Sequence, residues 1–506
     1  MSSTASTTSD RPIKSQIPAR MHNMPWSRFH WMVILGLGTA WILDGLEVQF
    51  VSLAGYKQTL GMDPTWVGFA GTAYLLGQVS GALIFGRMAD TLGRKKLFSL
   101  TLAVYLIGSG LAGLAPAAPP GQTSGPHLGI WIFLICRFIA GMGIGGEYSA
   151  INAAIDELIP GKYRGRVDLA INGTYWGGAL IAAAASFFLL NPDYVPHDWG
   201  WRISFFIGPV LGIIIIFMRR HIPESPRWMV THGRAEQAER IVAGIESEVT
   251  SSGRQLPKID DSTAEWVKPR EGLKPKQLAY VFFKLYPTRT VLGITLMITQ
   301  SFLYNAFFFT YEGVLDQFYG KPANIAAVYF LPFAAGNLLG PLLLGHFFDT
   351  IGRRKMIGGT YAVAAIVLLI SAFLFRAEML SAGGHVALWC VSFFFASAGA
   401  SAGYLTVSEI FPLEVRGQAI SYFFSVAQAV GATGPAIFGA LITASEEANS
   451  RTPMFWGYIA ASVVTLIGSL VAFRFGVDAE GKALEEIAPP LSSYDEHGNE
   501  TTRLPV

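Results

Sequence analysis

Asp44 and Glu47 stand three residues apart in an otherwise apolar run, W-I-L-D-G-L-E-V-Q-F, and Arg137 interrupts another, L-I-C-R-F-I-A-G. A spacing of three puts both acids on one face of a helix. Charge at bilayer depth costs at least a few kcal/mol, so an ionisable group kept there is a functional candidate by default. Two acids facing an arginine are the parts of a proton-coupling site, because the proton affinity of a desolvated carboxyl depends on whether the cation is close. Asp44 lies about 20 Å from the start of its run, and Arg137 about 12 Å from the start of an opposed one. In a hydrocarbon core of about 30 Å these depths nearly coincide. Asp44 is therefore expected to pair with Arg137, with Glu47 as the competing proton site. A static pair that only locks two helices is the plain alternative.

Such residues need helices that cross a bilayer, and the composition supplies them. Of 506 residues, 51% are hydrophobic and only 14% charged, against about 25% charged in a soluble domain. Mean hydropathy is +0.40. A crossing helix takes about 20 mostly apolar residues, and twelve such runs lie at about 30–54, 67–87, 97–115, 129–150, 169–190, 202–218, 289–311, 325–347, 356–375, 384–405, 418–442 and 454–475. The expected fold is an all-α membrane protein: a tail at 1–29, a six-helix bundle at 30–218, a linker with short helices at 219–288, a second bundle at 289–475 and a tail at 476–506. Net charge is +2, so no overall field argues for nucleic acid. Cys136 and Cys390 fall inside apolar runs and read as small buried hydrophobes. No metal site and no cofactor is expected.

The loops repeat. Gly86–Lys96 reads G-R-M-A-D-T-L-G-R-K-K and Gly345–Lys355 reads G-H-F-F-D-T-I-G-R-R-K; Glu157–Arg166, E-L-I-P-G-K-Y-R-G-R, returns as Glu409–Gln418, E-I-F-P-L-E-V-R-G-Q. The two pairs recur at nearly the same offset, so spans one to six and seven to twelve are parallel copies. Eleven Lys and Arg lie in the loops after spans two, four, eight and ten, and five on the opposite side, which places both termini in the cytoplasm. Anchoring explains these cations but not the acids among them. Asp90 and Arg94 are expected to close onto Glu157 and Arg164, and Asp349 and Arg353 onto Glu409 and Arg416, as a cytoplasmic gate. Gly86 and Gly93 would let the first loop turn tightly.

With these motifs the chain resembles the major facilitator superfamily over essentially all twelve spans. Within it, the resemblance is to the branch of sugar porters, metabolite:proton symporters, organic-ion carriers and synaptic-vesicle-protein-like transporters. Gly86–Lys96 is similar to the superfamily loop signature, and P-E-S-P-R-W at Pro223–Trp228 and S-E-I-F-P at Ser408–Pro412 are similar to sugar-porter marks. The resemblance implies two parallel six-helix repeats about an axis along the membrane normal, and a gate that stabilises the outward-facing state. It also implies an acid in span one working with Arg137, and a substrate lining of Gln300, Ser301, Tyr304 and Asn305 in span seven with Asn337 in span eight. Ser301 stands where a second Gln belongs, Tyr175 and Trp176 where span five has a Gln, and Tyr404 where span ten has a Trp. Glu147, in G-G-E-Y, is similar to metabolite:proton symporters instead. These departures favour a small carboxylate held by Arg137 through charge-assisted hydrogen bonds, with a hexose second.

The expected function is secondary transport of a small organic solute, an organic acid in first place, coupled to protons by alternating access. Its partners would be the solute, protons and the lipid bilayer, with no nucleic acid, and one chain holding both halves suggests a monomer. No G-x-x-x-x-G-K-[ST] loop and no nucleophile triad supports an enzyme. A non-transporting solute receptor on a transporter scaffold is the alternative of another class. In the linker, Ala238, Ile241, Val242 and Ile245 give an amphipathic helix around 235–249, a tether or a regulatory piece. The tail from Val477 is acidic, then polar, and expected to be disordered at its end.

Overall fold

The computed structural model describes residues 13–52, 56–62, 64–121, 126–189, 193–219, 222–260, 263–267, 273–321 and 323–493. The far tail at 494–506 lies outside them. Six long helices form the first half: α1 (Arg28–Ser52), α2 (Pro64–Leu92), α3 (Arg94–Gly113), α4 (Leu128–Leu158), α5 (Arg164–Leu189) and α6 (His197–Arg219). Six form the second: α7 (Pro287–Tyr319), α8 (Ala323–Thr350), α9 (Arg353–Arg376), α10 (Ala382–Ile410), α11 (Arg416–Glu447, interrupted at Ala432) and α12 (Thr452–Phe475). Eleven are long and apolar enough to cross a membrane. The other, α5, carries the run N-G-T-Y-W-G-G at 172–178, which lowers its hydropathy although it packs inside the bundle.

The packing repeats as the loops do. In the first half α1 lies against α5, α2 against α4 and α3 against α4; in the second, α7 lies against α11, α8 against α10 and α9 against α10. The halves meet along α5 with α8 and α2 with α11, which are pseudosymmetric mates. Lipid tails are as apolar as leucine, so close backbone approach rather than hydrophobic burial holds such helices together. Gly45 of α1 shows the device: a Cβ there would lie 1.9 Å from the Tyr175 carbonyl oxygen of α5. Large apolar side chains such as Leu76, Ile107, Trp131 and Leu343 are exposed on the outer faces, where lipid would cover them.

On the face that carries the basic loops, the linker forms a helix at Ala235–Ser251 that buries Ala238, Val242, Ile245 and Val249, one stripe at helical spacing. The N-terminal segment is folded there too. Ile13–Ser15 pairs antiparallel with Glu265–Val267, and Arg20 is ion-paired with Glu239 and Glu246 of the linker helix. The C-terminal segment docks beside them. Glu485 bonds Arg227 at 2.5 Å, and Glu414 accepts from the Leu491 and Ser492 amides.

Candidate functional site

A cavity of about 160 Å³ lies between the halves. Asp44 and Trp41 from α1, Tyr148 from α4, and Tyr175 and Trp176 from α5 form one wall; Gln300, Ser301, Tyr304 and Asn305 from α7 form the other. Every one of these residues comes from the middle of its helix. The α7 side is knit by hydrogen bonds: Ser301 donates to Gln428 Oε1, and Asn305 Nδ2 donates to Ser301 Oγ at 3.2 Å. Gln428 Nε2 then donates to Gln78 Oε1 at 2.9 Å, joining α11 to α2 across the halves. Trp176 packs against Tyr304 with centroids 5.6 Å apart, so α5 and α7 share an aromatic wall.

Among the described residues, Asp44 is the one ionisable carboxyl in that lining, and no Lys, Arg or His lies there. It is 1% exposed and receives the hydroxyls of Tyr74, at 3.0 Å, and Tyr148. Arg137 is not in the lining. Its guanidinium bonds Glu47 at 2.5 Å and sits 4.1 Å over the Tyr74 ring. The anticipated Asp44–Arg137 pair is thus replaced by Glu47–Arg137, with Tyr74 standing between that pair and Asp44. The reason is axial: Glu47 lies about 4.5 Å further along α1, level with Arg137, and its side chain is one methylene longer. Arg137 is therefore removed from direct contact with a solute in this cavity. Asn337 is also behind the wall, accepting from the Tyr304 hydroxyl at 2.8 Å and so orienting it. Glu147 is buried outside the lining.

The ion pairs on the basic face cross between the halves. Glu409 of α10 accepts from Arg353 Nε at 3.0 Å and Nη2 at 3.1 Å, and from Arg164 Nη1 of the first half at 3.2 Å. Arg416 reaches Glu157 of the first half at 3.5 Å. Asp349, bonded by Arg353 at 2.9 Å, also accepts the Gly165 and Arg166 amides at 2.9 Å each. A carboxylate there satisfies two of the unbonded N–H groups that open α5. The pairing anticipated within each half is therefore partly exchanged: Arg353 stays with Glu409, while Arg164 and Arg416 reach across. The Asp90 and Arg94 side chains lie outside the described residues. Gly93 has φ +91° and faces Glu224, which accepts the Lys95 amide. Gly86 serves close packing instead of a turn, since a Cβ there would lie 1.8 Å from Ser421 Oγ of α11.

Sequence reasoning missed Tyr74, Gln78, Tyr148 and Gln428. Their signal was a lone uncharged polar group in mid-span, as at Gln78 and Gln428. Tyr148 is the last letter of G-G-E-Y.

The chain is 25% identical over 474 residues to the niacin transporter NiaP of Acinetobacter baylyi, covering 93% of this chain and 99% of that one. It is 23% identical to the benzoate transport protein of the same organism, covering 92% and 94%. Among solved structures it resembles the proton:xylose symporter XylE bound to 6-bromo-6-deoxy-D-glucose, with a TM-score of 0.72 at 18% identity over 91% of this chain and 98% of that chain; that likeness concerns the fold, the twelve-helix major facilitator architecture. Residues 45–490 match the family described as Sugar (and other) transporter. With a match across both halves and the cavity between them, this integral, multi-pass membrane protein belongs to that transporter family.

Proposed function

We propose that the protein is a proton-coupled secondary transporter of a small single-ring organic solute, an aromatic carboxylic acid in first place, working by alternating access. The observation that carries the reading is the cavity: ring-walled, amide-edged and, among the described residues, holding Asp44 as its one charged group. Its volume of about 160 Å³ is close to the roughly 150 Å³ of an engineered cavity that takes benzene. A carboxylate entering it meets amides and hydroxyls but, among the described residues, no cation. Beside ionised Asp44 it would be repelled, so the two acids are accommodated together only when they share a proton. One proton then accompanies one anion, which is symport. The names of the niacin and benzoate relatives support a ring acid. A sugar is the second reading, favoured by the hydrogen-bonding side chains of Gln300, Asn305, Gln428 and Ser401. The cross-half ion pairs act as the cytoplasmic gate, with Arg137 holding Glu47.

Uptake into proteoliposomes of benzoate, nicotinate and glucose under an imposed pH gradient tests this. A ring carboxylate should accumulate, and Asp44→Asn should abolish accumulation. Saturable glucose uptake that neither acid competes with would defeat the acid reading. Accumulation by Asp44→Asn but not by Glu47→Gln would move the proton site to Glu47. Binding without uptake of any solute would mark a receptor.

A further inference from the structure

The carboxyl of Asp44 is gripped by two tyrosines from two other helices, and each tyrosine ring is held by a different part of the machine. Tyr74 of α2 donates to Oδ1 at 3.0 Å while its ring carries the Arg137 guanidinium, itself paired with Glu47. Tyr148 of α4 donates to Oδ2. Its ring stacks on Trp41 at 4.6 Å and 20°, and meets Phe424 of the second half edge-on at 5.0 Å. Trp41, Tyr148 and Phe424 all face the cavity. A continuous set of contacts thus runs from Glu47–Arg137 through Tyr74 to Asp44, and from Asp44 through Tyr148 to the rings that would touch a solute in both halves.

A hydroxyl that donates to a carboxylate makes a charge-assisted bond, roughly twice as strong as its neutral counterpart. Placing a proton on Asp44 turns one of its oxygens from acceptor to donor. The tyrosine hydroxyl bonded there must then rotate to accept or swing away, and Tyr148 cannot swing without moving against Trp41 and Phe424. We propose that Tyr148 and Tyr74 are the positioning residues through which the proton on Asp44 and the solute in the cavity sense each other. The proposal rests on Asp44 being the proton site. Tyr148 carries the change to the solute walls of both halves, and Tyr74 carries it to the Arg137–Glu47 pair. The coupling is reciprocal: a solute that displaces the Tyr148 ring changes proton binding by the same factor. Around Asp44 the ionisable groups are Glu47 on its own helix, Tyr74 on α2, Tyr105 on α3, Arg137, Glu147 and Tyr148 on α4, Tyr175 on α5 and Tyr404 on α10.

The test uses no solute at first. The purified full chain is titrated with pH, and the fluorescence of Trp41 is isolated by subtracting a Trp41→Phe variant. A sigmoidal change is expected in the wild type, absent in Asp44→Asn and at least fivefold smaller in Tyr148→Phe, with Tyr74→Phe as a second variant that removes only a hydroxyl. Full amplitude in Tyr148→Phe, or no change in the wild type, overturns the proposal. A change that persists in Asp44→Asn overturns both it and the assignment of Asp44. In proteoliposomes, the ratio of gradient-driven accumulation to exchange at equal pH should fall at least tenfold in Tyr148→Phe. Tyrosines that merely shape the wall would lower both rates together and leave the ratio unchanged, which also refutes the coupling role.

Discussion

Glu409 is the hub of the cross-half ion pairs, and if these form the proposed gate its neutralisation should open the basic face. Glu409→Gln keeps the shape but removes the charge that receives three N–H bonds from Arg353 and Arg164. All three side chains are buried, and breaking a buried ion pair costs about 3–5 kcal/mol. Arg353 retains Asp349 at 2.9 Å and the Phe348 carbonyl at 2.7 Å, whereas Arg164 keeps, among the described residues, only Asp156 at 3.9 Å as an ion-pair partner. The lower end, about 3 kcal/mol, is therefore appropriate, and at 1.4 kcal/mol per tenfold it shifts the closed-to-open ratio by about 100-fold. Ser401→Cys places a thiol on the cavity wall once Cys136 and Cys390 are replaced by serine. In inside-out vesicles, an impermeant maleimide should label it up to about 100-fold faster in Glu409→Gln, and in right-side-out vesicles more slowly. An unchanged rate from the cytoplasmic side, in a variant whose thermal unfolding matches the parent, would refute the gate assignment.

Because Arg137 and Glu47 are buried against each other, Arg137→Gln or Glu47→Gln alone should cost about 3–5 kcal/mol while the double variant recovers most of it; additive losses in detergent thermal unfolding would show that the pair is not mutual. Docking of the terminal segments should respond to pH in two separate windows. Burial first, then the nearby Arg164 and Arg227 charges, lowers the His22 imidazole to about 4. A free histidine titrates near 6.5, so the undocked segment takes the proton first and docking weakens as pH falls from about 6.5 towards 4. At Glu485, burial pushes the carboxyl up, but Arg227, its own backbone amide, Arg416 and Arg164 outweigh that and hold it below its usual range. Its contribution is thus present above about 4.3 and lost only as pH falls through the lower docked value. Hydrogen exchange, corrected for intrinsic rates, should show 17–22 loosening between 6.5 and 4 while 484–492 stays protected; simultaneous release near pH 6 would contradict this.

The bilayer-crossing helices, their pairing into two copies and the basic face were legible from residues close together in the chain. Each is written in local composition, in loop motifs that recur, or in a helical stripe such as Ala238, Val242 and Ile245; Ile241, expected in that stripe, is only half-buried. Even α5, the least apolar of them, was legible as the mostly apolar run at 169–190. Asp44 and the α7 residues could be named as candidates because a charge or a run of amides in mid-membrane stands out against its neighbours. What faces what was decided only by the tertiary structure. Whether Arg137 meets Asp44 or Glu47 depends on the axial offset of α1 against α4 by a single helical turn. Whether Arg416 reaches Glu157 depends on how the two halves tilt together. Neither quantity is encoded by any local spacing. Tyr74, Tyr148, Gln78 and Gln428 gave little warning, because one uncharged polar side chain barely changes the hydropathy of a span. Their importance comes from convergence: residues from α1, α2, α4 and α11, far apart in the chain, meet at one depth because close glycine contacts such as Gly45 on Tyr175 bring the helices near enough for tyrosine hydroxyls and amides to touch.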